Sequence, residues 1–267
     1  MSTGPAATMP PAPRIPLTLI VAATPSLGIG ANGALPWPPL KKEMGYFARV
    51  TKRVPATPAA PAGGPVRKNA VIMGRKTWES IPPRFRPLKD RINIVVSREP
   101  GKIVGGNGGA SSAAAAAPNF SRHLNGANVA APPAAAEAAA EVNGEQVVAA
   151  ASVQGAVAKL RELDDAGVLG RAYVIGGAQL YKAALEMEEA RYVLLTRMGR
   201  EYACDTTFPV DVVGKGEGAN GWVRRGNDVL GEFVGEEVEK GSVREVAKVD
   251  GVEEEVQFEF CLFEKEG

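Results

Sequence analysis

Ala172-Tyr173-Val174-Ile175-Gly176-Gly177-Ala178-Gln179-Leu180-Tyr181 is the stretch that decides the fold class of this chain. Residues 172–175 are an apolar run of strand length, and the two glycines let the backbone turn closely. Residues 178–186 then carry a helical pattern. A strand that leaves a sheet through glycines and enters a helix at once points that helix's first amides beyond the sheet edge, as anion-holding turns do. A tight turn without a ligand is the other reading of the same residues.

The same unit recurs on both sides. Residues 17–24 read as a buried strand, followed by a glycine-rich loop and a helix beginning near Pro39. Residues 70–73 form a second strand running into a short helix over 75–80, and 92–97 form a third. A helix over 152–165 precedes the opening stretch, and a strand over 191–196 follows it. Strands alternating with helices mean a mostly parallel sheet covered on both faces. Near the end, Val256, Phe258, Phe260 and Leu262 alternate with polar or small residues, the period of a half-buried antiparallel strand. The expected fold is therefore α/β, one domain with a mostly parallel central sheet, an antiparallel C-terminal edge and flanking helices.

Low-complexity spans interrupt the pattern at about 54–65 and 101–146, where Pro, Ala and Gly dominate. Within the second, residues 134–141 suit a short helix. Residues 214–221 read as a loop, and 236–255 are heavily charged. Residues 1–14 read as a disordered tail, and 15–267 as one domain with insertions. Net charge is +1 over 267 residues, with no basic stripe, which argues against nucleic-acid and membrane-surface binding. No apolar run approaches the roughly 18 residues of a membrane span. Two cysteines, Cys204 and Cys261, offer neither a disulfide framework nor a metal-binding spacing. A cytoplasmic monomer without a metal is the simplest expectation, with organellar targeting left open.

Four constellations carry chemistry. Gly28-Ile29-Gly30-Ala31-Asn32-Gly33 matches a dinucleotide fingerprint, but Pro36, Pro38 and Pro39 follow where a helix would have to begin, so a mobile loop or lid is expected instead. Gly74-Arg75-Lys76-Thr77 ends like a phosphate loop but lacks its upstream glycine. Together with Ser97-Arg98 it places hydroxyls and guanidiniums at two strand ends, where α/β sheets bind ligands. One phosphorylated ligand would fit both, an extra phosphate, as in NADPH, explaining the repeated arginine; a solvated surface helix is the other reading. The Gly176-Gly177 turn supplies a second cradle. In the helix after Pro39, Leu40, Met44 and Phe47 form an apolar stripe, and Glu43 falls on it. A carboxyl there is either a rim or paired group, or a pocket acid whose burial lifts its pKa toward neutrality. The sole histidine, His123, lies in the second insert, so acid–base chemistry must use a carboxyl.

In order, Gly28-Ile29-Gly30, Leu35-Pro36-Trp37-Pro38-Pro39-Leu40, Val71 to Pro82, Arg86-Pro87-Leu88 with Arg91, Ile175-Gly176-Gly177, Tyr181, and Asp205-Thr206 with Phe208-Pro209 resemble the dihydrofolate reductases, from about Leu17 to the C-terminus. The Trp-Pro-Pro variant is similar to eukaryotic members, and the alanine-rich insert to fungal ones. The resemblance implies NADPH-dependent reduction of dihydrofolate, with hydride going to C6 and a water-relayed proton to N5. It implies that Glu43 holds the pterin, Thr196 supports that carboxylate and Trp37 positions the water. Ile20 and Ile175 would offer carbonyls to the pterin edge, Phe47 would pack on the benzoyl ring, and Arg91 would fork onto the glutamate carboxylate. Met44, Ile81, Leu88 and Tyr181 complete the implied substrate wall. On the cofactor side the resemblance implies Ala22, the loop residues Ile29, Gly30, Gly33 and Leu35, then Gly74, Arg75, Lys76, Thr77, Ser97 and Arg98. Ile175, Gly176, Gly177, Ala178, Gln179, Leu180 and Tyr181 form the second cradle, with a cis peptide expected at Gly176-Gly177. Met44, Phe85 and the Pro82-Pro83 pair depart from the pattern of many vertebrate members. A related pyrimidine reductase and a non-catalytic scaffold are the competing readings.

Overall fold

Alternate side chains of the first strand, β1 (Leu17–Ala23), belong to opposite cores: Leu17, Leu19 and Val21 to one, Ile20 to the other. That two-sided burial is what a central strand of a covered sheet requires. The computed structural model describes residues 14–56, 64–105, 138–142, 145–214, 219–249 and 251–266. The remaining strands in chain order are β2 (Gly28–Gly30), β3 (Lys68–Gly74), β4 (Arg91–Val96), β5 (Ala138–Val142), β6 (Glu145–Ala150) and β7 (Leu169–Val174). They continue with β8 (Ala190–Met198), β9 (Thr206–Thr207), β10 (Trp222–Arg224), β11 (Val243–Val249) and β12 (Val252–Lys265). Helices are α1 (Lys41–Lys52), α2 (Arg75–Ser80), α3 (Pro100–Gly105), α4 (Val153–Asp165), α5 (Ala178–Leu185) and α6 (Asn227–Val234).

The main sheet runs β10-β12-β8-β1-β7-β3-β4-β6-β5, with β11 hairpinned onto β12. From β8 to β6 every neighbour is parallel, and β12 joins β8 antiparallel, as the terminal alternation indicated. Val153, Ala156, Val157, Leu160 and Leu163 place the buried stripe of α4 against one face. Ser152 starts that helix by accepting the Gly155 amide at 3.0 Å, a cap worth about 1 kcal/mol. Helices α1 and α6 cover the opposite face with Tyr46, Val50, Leu230 and Val234. Each of these large apolar side chains adds about 1.5–3 kcal/mol of gross burial. Among the described residues no helix is long and apolar enough to cross a membrane.

Several local expectations need correction. The helix expected over 134–141 is not formed in its described part, because Ala138–Val142 is a strand pairing antiparallel with β6. Pairing with the edge of β6 outweighs alanine's high intrinsic helix propensity there, because propensity is worth only tenths of a kcal/mol per residue. The insert read as 101–146 also ends too late, since β6 already begins at Glu145, and α3 extends into its start. The charged span 236–255 contains all of β11. Residues 1–13, 57–63, 106–137 with His123, and 215–218 lie outside the described residues.

Candidate functional site

The parallel strands set the site. Registers Ala22↔Thr196, Ile72↔Val174, Gly74↔Val96 and Val96↔Ala150 bring Ala22, Thr196, Ile175, Gly74 and Ser97 to the same, C-terminal edge of the sheet. That edge is where open α/β sheets hold ligands.

Helix α1, packed on one face of the sheet, brings Glu43 to this edge beside Thr196. The buried stripe is Tyr46 and Val50 with Leu40 just before the helix, and Glu43 and Phe47 are partly buried on its flank. Met44, expected on the buried stripe, is instead 52% exposed. Tyr46 takes its place because it stacks on Phe260 with ring centroids 4.0 Å apart. The Thr196 hydroxyl donates to Glu43 Oε1 at 3.4 Å. Burial, moderated by that bond and reinforced by the nearby Glu245 carboxylate, pushes the Glu43 carboxyl up to about 7. Trp37 is 5% exposed and packs edge-on against Tyr202. Its indole Nε1 is buried with no hydrogen-bond partner among the described residues. A buried donor left in this way marks a place for a water or ligand acceptor.

At the other end of α1 stands Arg91, 4% exposed, the first residue of β4. Its guanidinium donates to Thr51 Oγ1 at 2.7 Å and to the Lys89 carbonyl at 3.0 Å, and no carboxylate among the described residues bonds it. Burial lowers its pKa to about 10, which leaves it charged at neutral pH. Asn69 fixes this corner by donating to the Thr51 and Arg53 carbonyls while accepting the Arg171 amide. From Glu43 to Thr51 the helix rises about 12 Å, with Phe47 between. Ile81 and Leu88 pack on the same core from the segment after α2.

The glycine turns differ from one another. In the second, the Gly74 amide donates to the Gly176 carbonyl at 2.7 Å, and Gly176-Gly177 is a cis peptide as expected. A Cβ built on Gly177 would sit in ordinary contact with Thr77 Oγ1 at 3.5 Å, so the glycine hydrogen leaves the space beside Thr77 open. Arg75, Lys76 and Arg98 are exposed at this end, Arg75 paired with Glu79 at 2.8 Å. The Ser97 hydroxyl is buried and accepts the Glu99 amide. The Leu180 side chain belongs to the core, so only its backbone faces the turn. Ala178 and Gln179 are progressively more open. Tyr181 is also buried, and its hydroxyl donates to the Ile20 carbonyl at 2.7 Å. Its hydroxyl thus serves a backbone carbonyl that the resemblance assigned to the pterin.

The first glycine loop is fastened rather than loose. Gly28 and Gly30 pair with Thr207 and Thr206, and the Asn32 amide donates to Asp205 at 2.7 Å. Ser26 donates its amide and hydroxyl to Glu201, and the Gly28 amide donates to Thr24 Oγ1. A Cβ on Gly28 would overlap Cys204 Sγ. Ile29 and Gly30 are partly buried, while Gly33 and Leu35 are exposed on the loop. Sequence reasoning missed Thr51, Asn69, Tyr46 and Glu245. Of these only Tyr46 was within reach, by testing a stripe through 43, 46 and 50.

A dihydrofolate reductase family model matches residues 65–128. The chain is 36% identical over 229 residues to the dihydrofolate reductase of Pneumocystis carinii, an alignment covering 86% of this chain and 90% of that one. It is 34% identical over 200 residues to that of Mus musculus, covering 75% and 82% respectively. Against that of Schizosaccharomyces pombe it is 32% identical over 250 residues, 93% of this chain but 46% of that protein, so it spans about half of that relative's length. The solved structure of Schistosoma mansoni dihydrofolate reductase aligns with a TM-score of 0.56 at 27% identity, covering 95% of this chain and all of that one. With this agreement over nearly the whole length of the Pneumocystis relative, the chain belongs to the dihydrofolate reductase family.

Proposed function

We propose that the protein reduces 7,8-dihydrofolate to 5,6,7,8-tetrahydrofolate with NADPH, within one domain spanning residues 15–267 and carrying the two insertions. The observation that carries this reading is the Glu43–Thr196 pair, supported by the buried Trp37 indole N–H just before the same helix, which has no hydrogen-bond partner among the described residues. The residues present fit the cofactor. The Gly177 hydrogen keeps a gap opposite Thr77 that a Cβ would fill. Exposed Arg75, Lys76 and Arg98 border that end, suited to phosphates including an extra one. When bound, NADPH supplies a hydride, which this reading sends to C6 of the pterin.

The chain's own residues do the rest. Glu43, with a pKa near 7, exchanges a proton at neutral pH while anchoring the pterin's amide-like edge. The Trp37 N–H orients the water through which the proton reaches N5. Thr196 fixes the carboxyl, Ala22 meets the carboxamide end of the cofactor through its backbone, and Ile175 offers a backbone carbonyl. Phe47, Met44, Ile81 and Leu88 enclose the benzoyl segment, and Arg91 receives the glutamate carboxylate about two helical turns away. The loop of Ile29, Gly30, Gly33 and Leu35 excludes bulk water. In the cell this reading corresponds to a cytoplasmic, monomeric enzyme of one-carbon metabolism that supports thymidylate and purine synthesis.

One assay tests it. Purified protein is expected to oxidise NADPH only when dihydrofolate is added. Oxidation with a pyrimidine precursor instead of dihydrofolate, or none with either, would overturn the reading.

A further inference from the structure

Helix α1 begins after Pro38-Pro39-Leu40, and its N-cap residue Leu40 has no side chain able to satisfy the first amides. A residue more than 200 positions downstream does so. The Lys41 and Lys42 backbone N–H groups both donate to the Glu245 carboxylate, the second at 2.9 Å. Glu245 lies on β11 between Val243 and Ala247, whose side chains are buried in the core that α1 covers, while Arg244, Val246 and Lys248 are exposed. An inward-facing carboxylate on a short hairpin is costly unless it is bonded, and here both its oxygens are spent on one helix terminus. Glu43 is the residue directly after the two amides so held.

We propose that Glu245 is a positioning residue for Glu43: by clamping the first turn of α1 from β11, it fixes where the Glu43 carboxyl meets Thr196 and sets its charge environment. The inference rests on the proposed role of Glu43. The groups facing Glu43 are few: Thr196 from β8, Tyr181 from α5, Tyr46 from its own helix, and Glu245 from β11. Lys42 is paired with Glu239 at 3.5 Å. Among the described groups facing it, Glu245 is the other carboxyl, and its like charge favours a neutral Glu43. Removing that charge also bares two amides at the helix's positive end, which acts in the same direction. A clamp whose charge and amide contacts did not reach Glu43 would leave its titration unchanged.

The full chain, labelled with carboxyl-13C glutamate, reads this without turnover, the Glu43 signal being the one missing in Glu43→Gln. In Glu245→Gln the Glu43 midpoint is expected to fall by about half a pH unit, and hydrogen exchange at the Lys41 and Lys42 amides to quicken at least about tenfold. Glu245→Asp keeps the charge and is expected to hold the midpoint within about 0.2 unit of wild type. Faster exchange with an unmoved midpoint in Glu245→Gln would overturn the proposal, as would an equal fall in Glu245→Asp. Failure of the reading it rests on shows separately, as undiminished turnover in Glu43→Gln.

Discussion

The two ends of α1 each hold a buried ionisable group, and the same force acts on both with opposite consequences. Desolvation drives Glu43 up to about 7 and Arg91 down to about 10, each toward its neutral form. The carboxyl thereby reaches the neutral range in which it can exchange a proton, whereas the guanidinium, starting far higher, stays charged. One end can exchange a proton; the other is a fixed cation awaiting an anion. The partners agree with this division. Glu43 has one long bond from a hydroxyl, while Arg91 is held by Thr51 and the Lys89 carbonyl, which orient it without neutralising it.

Removing the exchangeable end should have the largest effect. Glu43→Gln is expected to lower kcat about 10²–10³-fold while leaving the KM for NADPH within about twofold, read by stopped-flow and steady-state kinetics. Arg91→Leu should raise the KM for dihydrofolate about 10²-fold, the loss of a charge-assisted fork of about 3 kcal/mol. Its pH profile should match wild type; a moved profile would erase the distinction between the two ends. Gly177→Ala, away from both, should raise the KM for NADPH by about tenfold and spare that for dihydrofolate.

The smallest effect concerns stability. Because folding raises the Glu43 pKa from 4.5 to about 7, its favourable contribution is complete below about 4.5 and is lost as pH climbs through about 7. Relative to wild type, Glu43→Gln should therefore gain about 1–3 kcal/mol between pH 4.5 and 8, measured as urea midpoints at the two pH values. An unchanged difference would mean that the carboxyl is not desolvated in the folded state.

Much of this was legible in the sequence where one residue pattern had one physical outcome. Strand, Gly176-Gly177 and helix could only be a tight exit at a sheet edge, and prolines 36, 38 and 39 ruled out a helix after Gly28-Ile29-Gly30. The structure adds that this first loop is fastened to Thr206, Thr207 and Asp205, contacts across more than 170 residues that no local pattern encodes. Glu43 was suspect from its spacing, but the stripe was drawn through Met44 rather than Tyr46. Both are apolar enough for a core, and a stripe through 43, 46 and 50 would have picked Tyr46, whose ring stacks on the distant Phe260. Strand β11 was hidden because its inward register carries a glutamate between Val243 and Ala247, breaking the alternation. Ala138–Val142 has a local preference for helix, and its long-range pairing with β6 overrides it.

The division between the two ends of α1 is tested most directly by the single-turnover hydride-transfer rate against pH, in wild type and in Glu43→Gln. The expected wild-type rate is level below about pH 7 and falls about tenfold per unit above it, while the variant is slow with no break near 7. A variant that keeps both the wild-type rate and its break would contradict Glu43 as the group that handles the proton.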